Sequence, residues 1–252
     1  MAQIKANEAL VKALQTWNID HLYGIPGDSV DAVVDSLRTV RDQFKFYHVR
    51  HEEVASLAAA SYTKMTGKIG VALSIGGPGI VHLLNGMYDA KMDNVPQLII
   101  AGQTNSTLLG TKFFQETNIS KMVDDVAVYH HQIQKGDNVF EITNEAIRTA
   151  YEKKGVSVII CPNDLLTQKI KDTTNRAVDT TKPKPVSPKF KSIKKAAKLI
   201  DKAKKPVMLI GLGTQHAKDE LREFIEAAKI PVIHTLPCLL YTSDAADDTP
   251  CV

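Results

Sequence analysis

Three glycine-rich turns and one pair of acids carry most of the chemistry open to this 252-residue sequence. GIPGD at 24–28, GGPG at 76–79 and Gly102 after LIIA each close an apolar run. Glycine lets a backbone approach a ligand closely, and open α/β sheets bind ligands beyond the carboxyl ends of their strands. One such turn alone is an ordinary strand-to-helix connection; three along one sheet define a rim that can hold a ligand. RHEEVA at 50–55 adds Glu52 and Glu53 at the head of an Ala-rich stretch. Acids in a first helical turn compensate the helix dipole, and that accounts for Glu53. Glu52, set on the rim among apolar neighbours, has a second use. A carboxyl drawn out of water holds its proton more readily and can donate it.

Other motifs are weaker. HEEVA is not HExxH, so His51 and Glu52 do not suggest a zinc protease. GLG at 211–213 follows the strand-like PVMLI and looks like a phosphate-binding turn, but the third glycine of GxGxxG would fall at His216. His130 and His131 lie in a strand-like stretch and read as structural. Cys161 ends an apolar run and reads as packing, with no base beside it. No P-loop, no GxSxG and no paired metal-ligand spacing occurs.

The elements that must position these residues follow from periodicity. Ala6, Ala9, Leu10, Ala13, Leu14 and Trp17 share one helical face, and 21–25 reads as a short strand. Helix is expected over 29–40, with Asp28 or Ser29 available as N-cap, and strand over 44–49. A helix over 52–66 should end at Gly67, followed by a strand over 69–75. Helix 80–92, strand 97–102, a helix over 139–154 ended by Gly155, and strand 156–161 complete the series. Strands alternating with helices of this length predict an α/β fold: an open, mostly parallel sheet with helices on both faces. The pattern restarts after 188, with helices over 193–203 and 218–228 and strands over 206–210 and 231–235. Two strands are too few to close a second α/β layer.

Composition bounds the function. The chain is 44% hydrophobic and 23% charged, which suits a globular protein with a real core. Aromatics at 6% argue against a stacking platform for nucleic acid or sugar. From Lys169 to Lys205 there are 13 Lys and Arg against 3 Asp and Glu, leaving 18 against 25 elsewhere. That basic stretch holds paired threonines and Pro183, Pro185 and Pro188, so it reads as a solvated linker and an exposed helix face. Nucleic-acid binding is rejected. No apolar run reaches the roughly 18 residues of a membrane span, and MAQIKANEAL has no signal-peptide core. With three cysteines in no metal or disulfide pattern, a cytoplasmic address is expected.

Four blocks, in order, carry a resemblance: LYGIPGDSVDAVVDSL, RHEEVASLAAASYTKMTGKIGVAL, GGPGIVHLLNGMYDAKMDNVPQLIIAGQ and FFQETN. Together they resemble the pyrimidine-binding domain of thiamine-diphosphate-dependent enzymes, and among these the pyruvate oxidases. The resemblance runs from the first helix to about Pro237. It implies a pyrimidine-binding domain over 1–172, a linker over 173–188 and the start of a central FAD-binding domain over 189–237. Glu52 matches the glutamate that hydrogen-bonds the cofactor aminopyrimidine and starts formation of the ylid. Gly27, Asp28 and Pro78 match pyrimidine-pocket positions; His82, Phe114 and Gln115 match residues facing substrate and flavin; Gly211 and Gly213 fall on the FAD side. The implied reaction takes pyruvate, phosphate and oxygen to acetyl phosphate, carbon dioxide and hydrogen peroxide. The implied cofactors are thiamine diphosphate, FAD and Mg²⁺.

Two departures qualify the resemblance. The GDG…NN block that holds Mg²⁺ and the diphosphate is not in this sequence, so no metal ligand is assigned here. In the family the site forms between subunits of a dimer-built tetramer, so the chain is expected to carry half a site. From Cys238 to Val252 the sequence has no Lys or Arg, leaves the family pattern, and looks like a translated sequencing-library adapter; it is expected to be non-native. The nearest alternative is an acetolactate synthase. A rival of another class is an inert binding or oligomerisation module, the expected behaviour of the isolated chain.

Overall fold

A computed structural model of the protein describes residues 2–183, 186–214 and 217–235. His216 and the segment from Cys238 to Val252 lie outside them. The chain divides into two units, Met1–Lys184 and Pro185–Val252.

The first unit begins with β1 (Gln3–Lys5), α1 (Ala6–Thr16), β2 (His21–Gly24), α2 (Asp31–Thr39), β3 (Lys45–His48), α3 (Glu52–Thr66) and β4 (Gly70–Ser74). It continues with α4 (Pro78–Met92), β5 (Gln97–Gln103), α5 (Ile119–Val123), β6 (Ala127–Gln132), α6 (Val139–Lys153), β7 (Val156–Pro162), α7 (Asn163–Leu166) and β8 (Lys169–Lys171). Six of the strands form one sheet in the order β3-β2-β4-β5-β7-β6, and every neighbouring pair is parallel. The expected α/β class, with helices on both faces, is what the chain adopts. The short β1 and β8 pair antiparallel away from that sheet.

Side-chain alternation along the central strands builds two cores. Leu98, Ile100, Ile159 and Cys161 point to one face and pack with Leu10, Leu14, Val33 and Ile147 from α1, α2 and α6. Ile99, Ala101, Val158 and Ile160 point to the other and pack with Ala59, Leu83, Met87 and Val123 from α3, α4 and α5. Burial on both faces is why β5 and β7 read as unbroken apolar runs.

Helix ends follow local chemistry. Gly67 takes the left-handed conformation (φ 67°) that closes α3. Pro78 opens α4 at its first turn, two residues before the expected start. Two boundary expectations are corrected. Neither Asp28 nor Ser29 caps α2: residues Asp28–Val30 form a 3-10 turn, and Val30 precedes the helix without a side-chain cap. The residue in left-handed conformation after α6 is Lys154 (φ 50°), not Gly155. Gly155 is needed for space, since a Cβ there would lie 2.5 Å from Val128.

The second unit contains α8 (Phe190–Lys202), β9 (Met208–Ile210), α9 (Lys218–Ala228) and β10 (Val232–His234). β9 and β10 pair in parallel. Among the described residues no helix is long and apolar enough to cross a membrane.

Candidate functional site

The sheet reverses its build order between β2 and β4. The chain leaves β2 for β3 on one side and returns to β4 on the other. Loops at such a switch point part to either side and leave a crevice at the carboxyl ends of the strands. The turns at Gly24–Asp28 and Gly76–Gly77 flank this crevice. Ser29 ties them together, because its Oγ accepts a hydrogen bond from the Gly76 backbone N–H at 3.0 Å. That bond explains why serine sits where an N-cap was expected. It also explains Gly102, where a Cβ would meet Ser29 Oγ at 2.4 Å.

A pocket of about 230 Å³ opens on this rim, and Asp28, Gly76, Gln103, Phe114, Gln115 and Asn163 are among its lining residues. Asn163 donates from Nδ2 to the Asp28 carbonyl at 2.8 Å. Its Oδ1 is buried without a hydrogen-bond partner, an unused acceptor on a residue that lines the pocket. Asp164, next in the chain, accepts from the backbone N–H and the hydroxyl of Ser106 at 2.7 and 2.6 Å. Sequence reasoning missed Ser29, Asn163 and Asp164. The signal was present: PND at 162–164 ends the last buried strand on the same rim.

Glu52 is the first residue of α3 and its side chain is 12% exposed. Its Oε2 lies 2.9 Å from His82 Nδ1 in α4. The His82 ring stacks on His51 with centroids 4.4 Å apart. Donor atoms of His51, Glu52 and His82 lie within 4.8 Å of one another, a grouping that no ligand spacing in the sequence announces. Glu53 accepts a hydrogen bond from the Asn85 side chain of α4, so it cross-links the two helices besides facing the helix dipole. The structure therefore brings Glu52 and His82 together, and Asp28, Phe114 and Gln115 together in the pocket. Gly27 sits in the turn after β2, and Pro78 opens α4.

The loop carrying Phe114 and Gln115 is held by one carboxylate. Glu116 accepts from the backbone N–H groups of Gly110 and Phe113 at 2.5 and 3.1 Å, and these bonds hold its carboxyl below the usual carboxylate range. Lys112 and Gln115 adopt left-handed backbone angles (φ 62° and 61°), which cost roughly 1–2 kcal/mol each outside glycine. Gly77, itself at φ 62°, leaves room for Gln115: a Cβ there would meet the Gln115 carbonyl oxygen at 2.7 Å. Phe114 is 78% exposed. Strain of this kind persists where surrounding structure fixes a loop for use.

The remaining residues singled out from the sequence fall elsewhere. His131 pairs with Asp137 at 2.7 Å and His130 with Asp124 at 3.4 Å, on edge strand β6. Gly211 and Gly213 belong to the second unit, on the turn that follows β9, with the Thr214 N–H bonded to the Gly211 carbonyl at 3.0 Å. Cys161 is fully buried, and burial pushes its thiol well above the ordinary cysteine range. Native protein treated with iodoacetamide should therefore leave the Cys161 peptide unmodified, while urea-unfolded protein is labelled there. Equal labelling in both states, read by peptide mass, would contradict the packing.

An open parallel sheet with glycine turns at its switch point, a largely buried carboxylate and an orphaned acceptor on the same rim has the form of a ligand-binding α/β domain. Comparison with known proteins names the cofactor. Residues 4–122 match the family described as thiamine pyrophosphate enzyme, N-terminal TPP binding domain, and residues 193–246 match its central domain. The chain belongs to the thiamine pyrophosphate-dependent enzyme family and carries sequence of both domains. The central-domain match runs into the segment after Cys238. YdaP of Bacillus subtilis, provisionally named as a thiamine pyrophosphate-containing protein, is 46% identical over 94% of this chain and 41% of its own length. A pyruvate oxidase of Lactiplantibacillus plantarum is 38% identical over 93% of this chain and 39% of its own length. An acetolactate synthase of Mycobacterium leprae is 33% identical over 93% and 38%. The chain thus spans about two fifths of the length of these relatives.

Proposed function

We propose that this chain supplies the pyrimidine-binding part of a pyruvate oxidase, which converts pyruvate, phosphate and oxygen to acetyl phosphate, carbon dioxide and hydrogen peroxide. The Glu52–His82 pair carries the reading: a carboxylate 12% exposed at a helix start, fixed by a histidine on the rim of the switch point. Thiamine diphosphate, when bound, supplies a thiazolium that stabilises the carbanion left after decarboxylation. The protein's task is narrower. Glu52 would share a proton with a ring nitrogen of the aminopyrimidine once that is bound, and His82 Nδ1 holds Oε2 in one orientation for such an exchange. Gly27, Asp28 and Pro78 shape the pyrimidine pocket. Phe114 and Gln115 face its substrate and flavin side.

FAD, with Gly211 and Gly213 near its phosphates, and Mg²⁺, with ligands elsewhere in the parent enzyme, belong to the same proposal. So do the domain limits 1–172 and 189–237, the homo-oligomer and the cytoplasmic address. The oxidase relative is more similar than the synthase relative over comparable spans, 38% against 33% identity. Acetolactate formation is the second reading, because synthases recur among the relatives. The parent enzyme, given pyruvate and phosphate, should consume oxygen and accumulate acetyl phosphate. Acetolactate without oxygen uptake would replace the oxidase by the synthase.

A further inference from the structure

A second pocket, of about 160 Å³, lies at the opposite rim of the first unit; Trp17, His21, Tyr62, Lys68, Tyr151 and Lys182 are among the residues lining it. His21 opens β2, and Lys68 precedes β4 by two residues, so this is the amino-terminal end of the strands.

Its aromatic walls are fixed. Trp17 stacks on Tyr151 at 5.9 Å and donates from Nε1 to Asn144 Oδ1 at 2.8 Å. The Tyr151 hydroxyl accepts from the Ile69 N–H at 2.8 Å. His21 meets Tyr62 edge-on at 4.5 Å.

Cations outnumber anions on the wall, with Lys68 and Lys182 against Asp20. Lys182 reaches in from the segment after β8, donates to the Gly67 carbonyl at 2.6 Å and lies 5.2 Å over the Tyr151 ring. Burial, and the neighbouring Lys68 charge, pull its pKa below the usual lysine range. Among the described residues neither lysine has a carboxylate within ion-pair distance. Asp20, also on the wall, is engaged by His21 Nδ1 at 2.6 Å and, more weakly, feels the Lys68 charge. Two lysines outnumber the one carboxylate on this wall, so an anion placed by them gains, and rigid rings beside them gain from a planar apolar partner. The volume lies below the roughly 300–1,000 Å³ of drug-sized sites, so one ring with one charged group fits and a dinucleotide does not.

We propose that this pocket binds a small aromatic anion, a single ring carrying a phosphate or carboxylate, with the ring beside Trp17 and Tyr62 and the charge between Lys68 and Lys182. The site is independent of the cofactor reading. Because Thr180 and Lys182 lie on the segment after the last strand, an occupant would clip that segment to the domain.

The chain has one tryptophan, Trp17, so intrinsic fluorescence reads this pocket directly. Phenyl phosphate titrated into the 252-residue chain should change the emission saturably at millimolar concentration or below. The double variant K68M/K182M, checked for an unchanged circular dichroism spectrum, should bind about ten-fold more weakly or worse. If that variant loses its fold, the singles K68M and K182M serve, each weakening phenyl phosphate alone. Phenol and inorganic phosphate should each bind at least about ten-fold more weakly than phenyl phosphate. No saturable change, unaltered affinity in folded lysine variants, or inorganic phosphate binding as well as phenyl phosphate would each overturn the proposal.

Discussion

Glu52→Gln in the parent enzyme should slow exchange of the C2 proton of bound thiamine diphosphate by about 10² to 10⁴-fold, the range of a positioned acid–base group. Glutamine keeps the length and planarity of the side chain, and its amide can still face His82 Nδ1 at the 2.9 Å separation seen for Glu52 Oε2. What it lacks is an ionisable proton. Packing at the head of α3 stays nearly the same, since the side chain is 12% exposed and meets His82 through one oxygen. The loss therefore falls on proton movement rather than folding or cofactor affinity. Deuterium exchange at C2, quenched and read by proton NMR, measures it, with cofactor affinity determined in parallel. Wild-type exchange in a cofactor-saturated variant would remove Glu52 from the chemistry. His82→Ala is a less clean test, because it also unstacks His51.

Gly70→Ala should cost roughly 3 kcal/mol or more of stability, the upper end for overpacking a tight core. Gly70 opens the central strand β4, and its N–H donates to Thr63 Oγ1 at 2.7 Å. A methyl group there would lie 2.0 Å from the Ala59 carbonyl oxygen and 2.6 Å from its carbon. Those atoms belong to the backbone of α3 and have no rotamer to yield. Either the helix moves off the sheet or the strand shifts, and both disturb the element that carries Glu52. Gly67→Ala is the control. Gly67 has φ 67°, but a methyl group there would have nothing within 4 Å, so alanine incurs only the left-handed strain of roughly 1–2 kcal/mol. Urea midpoints of the two variants should separate clearly; a Gly70→Ala midpoint at or above that of Gly67→Ala would contradict the close approach.

Much of this architecture was legible because it follows local rules. The alternation of buried runs with helical stripes marked five of the six main strands, and Gly67 marked the end of α3. β6 was visible only as a strand-like stretch around His130 and His131: an edge strand with half-exposed polar side chains gives no apolar signature. β1 and β8 are three residues each and pair across most of the unit, a partnership no window of sequence contains. Ser29 was misread as a cap because its real partner, Gly76, is 47 residues away. The same holds for the site. Glu52 and the glycine turns announce themselves by position, whereas His82 was reached through resemblance, and Asn163 needs the fold to bring it beside Asp28.

The ends of the main sheet have a consequence of their own. At one end β3 is four residues long and starts on Lys45. At the other, β6 slips register between Ala127 and Tyr129. A short strand opening on a charge and a bulged strand are both poor templates for backbone pairing. The sheet is thus guarded against growing by fibril-like strand addition. Apolar side chains stand exposed on helix faces instead, at Val54 of α3 and at Val81 and Met92 of α4. Any association through those faces would be selected by side-chain shape rather than by the indiscriminate hydrogen bonding of an open edge.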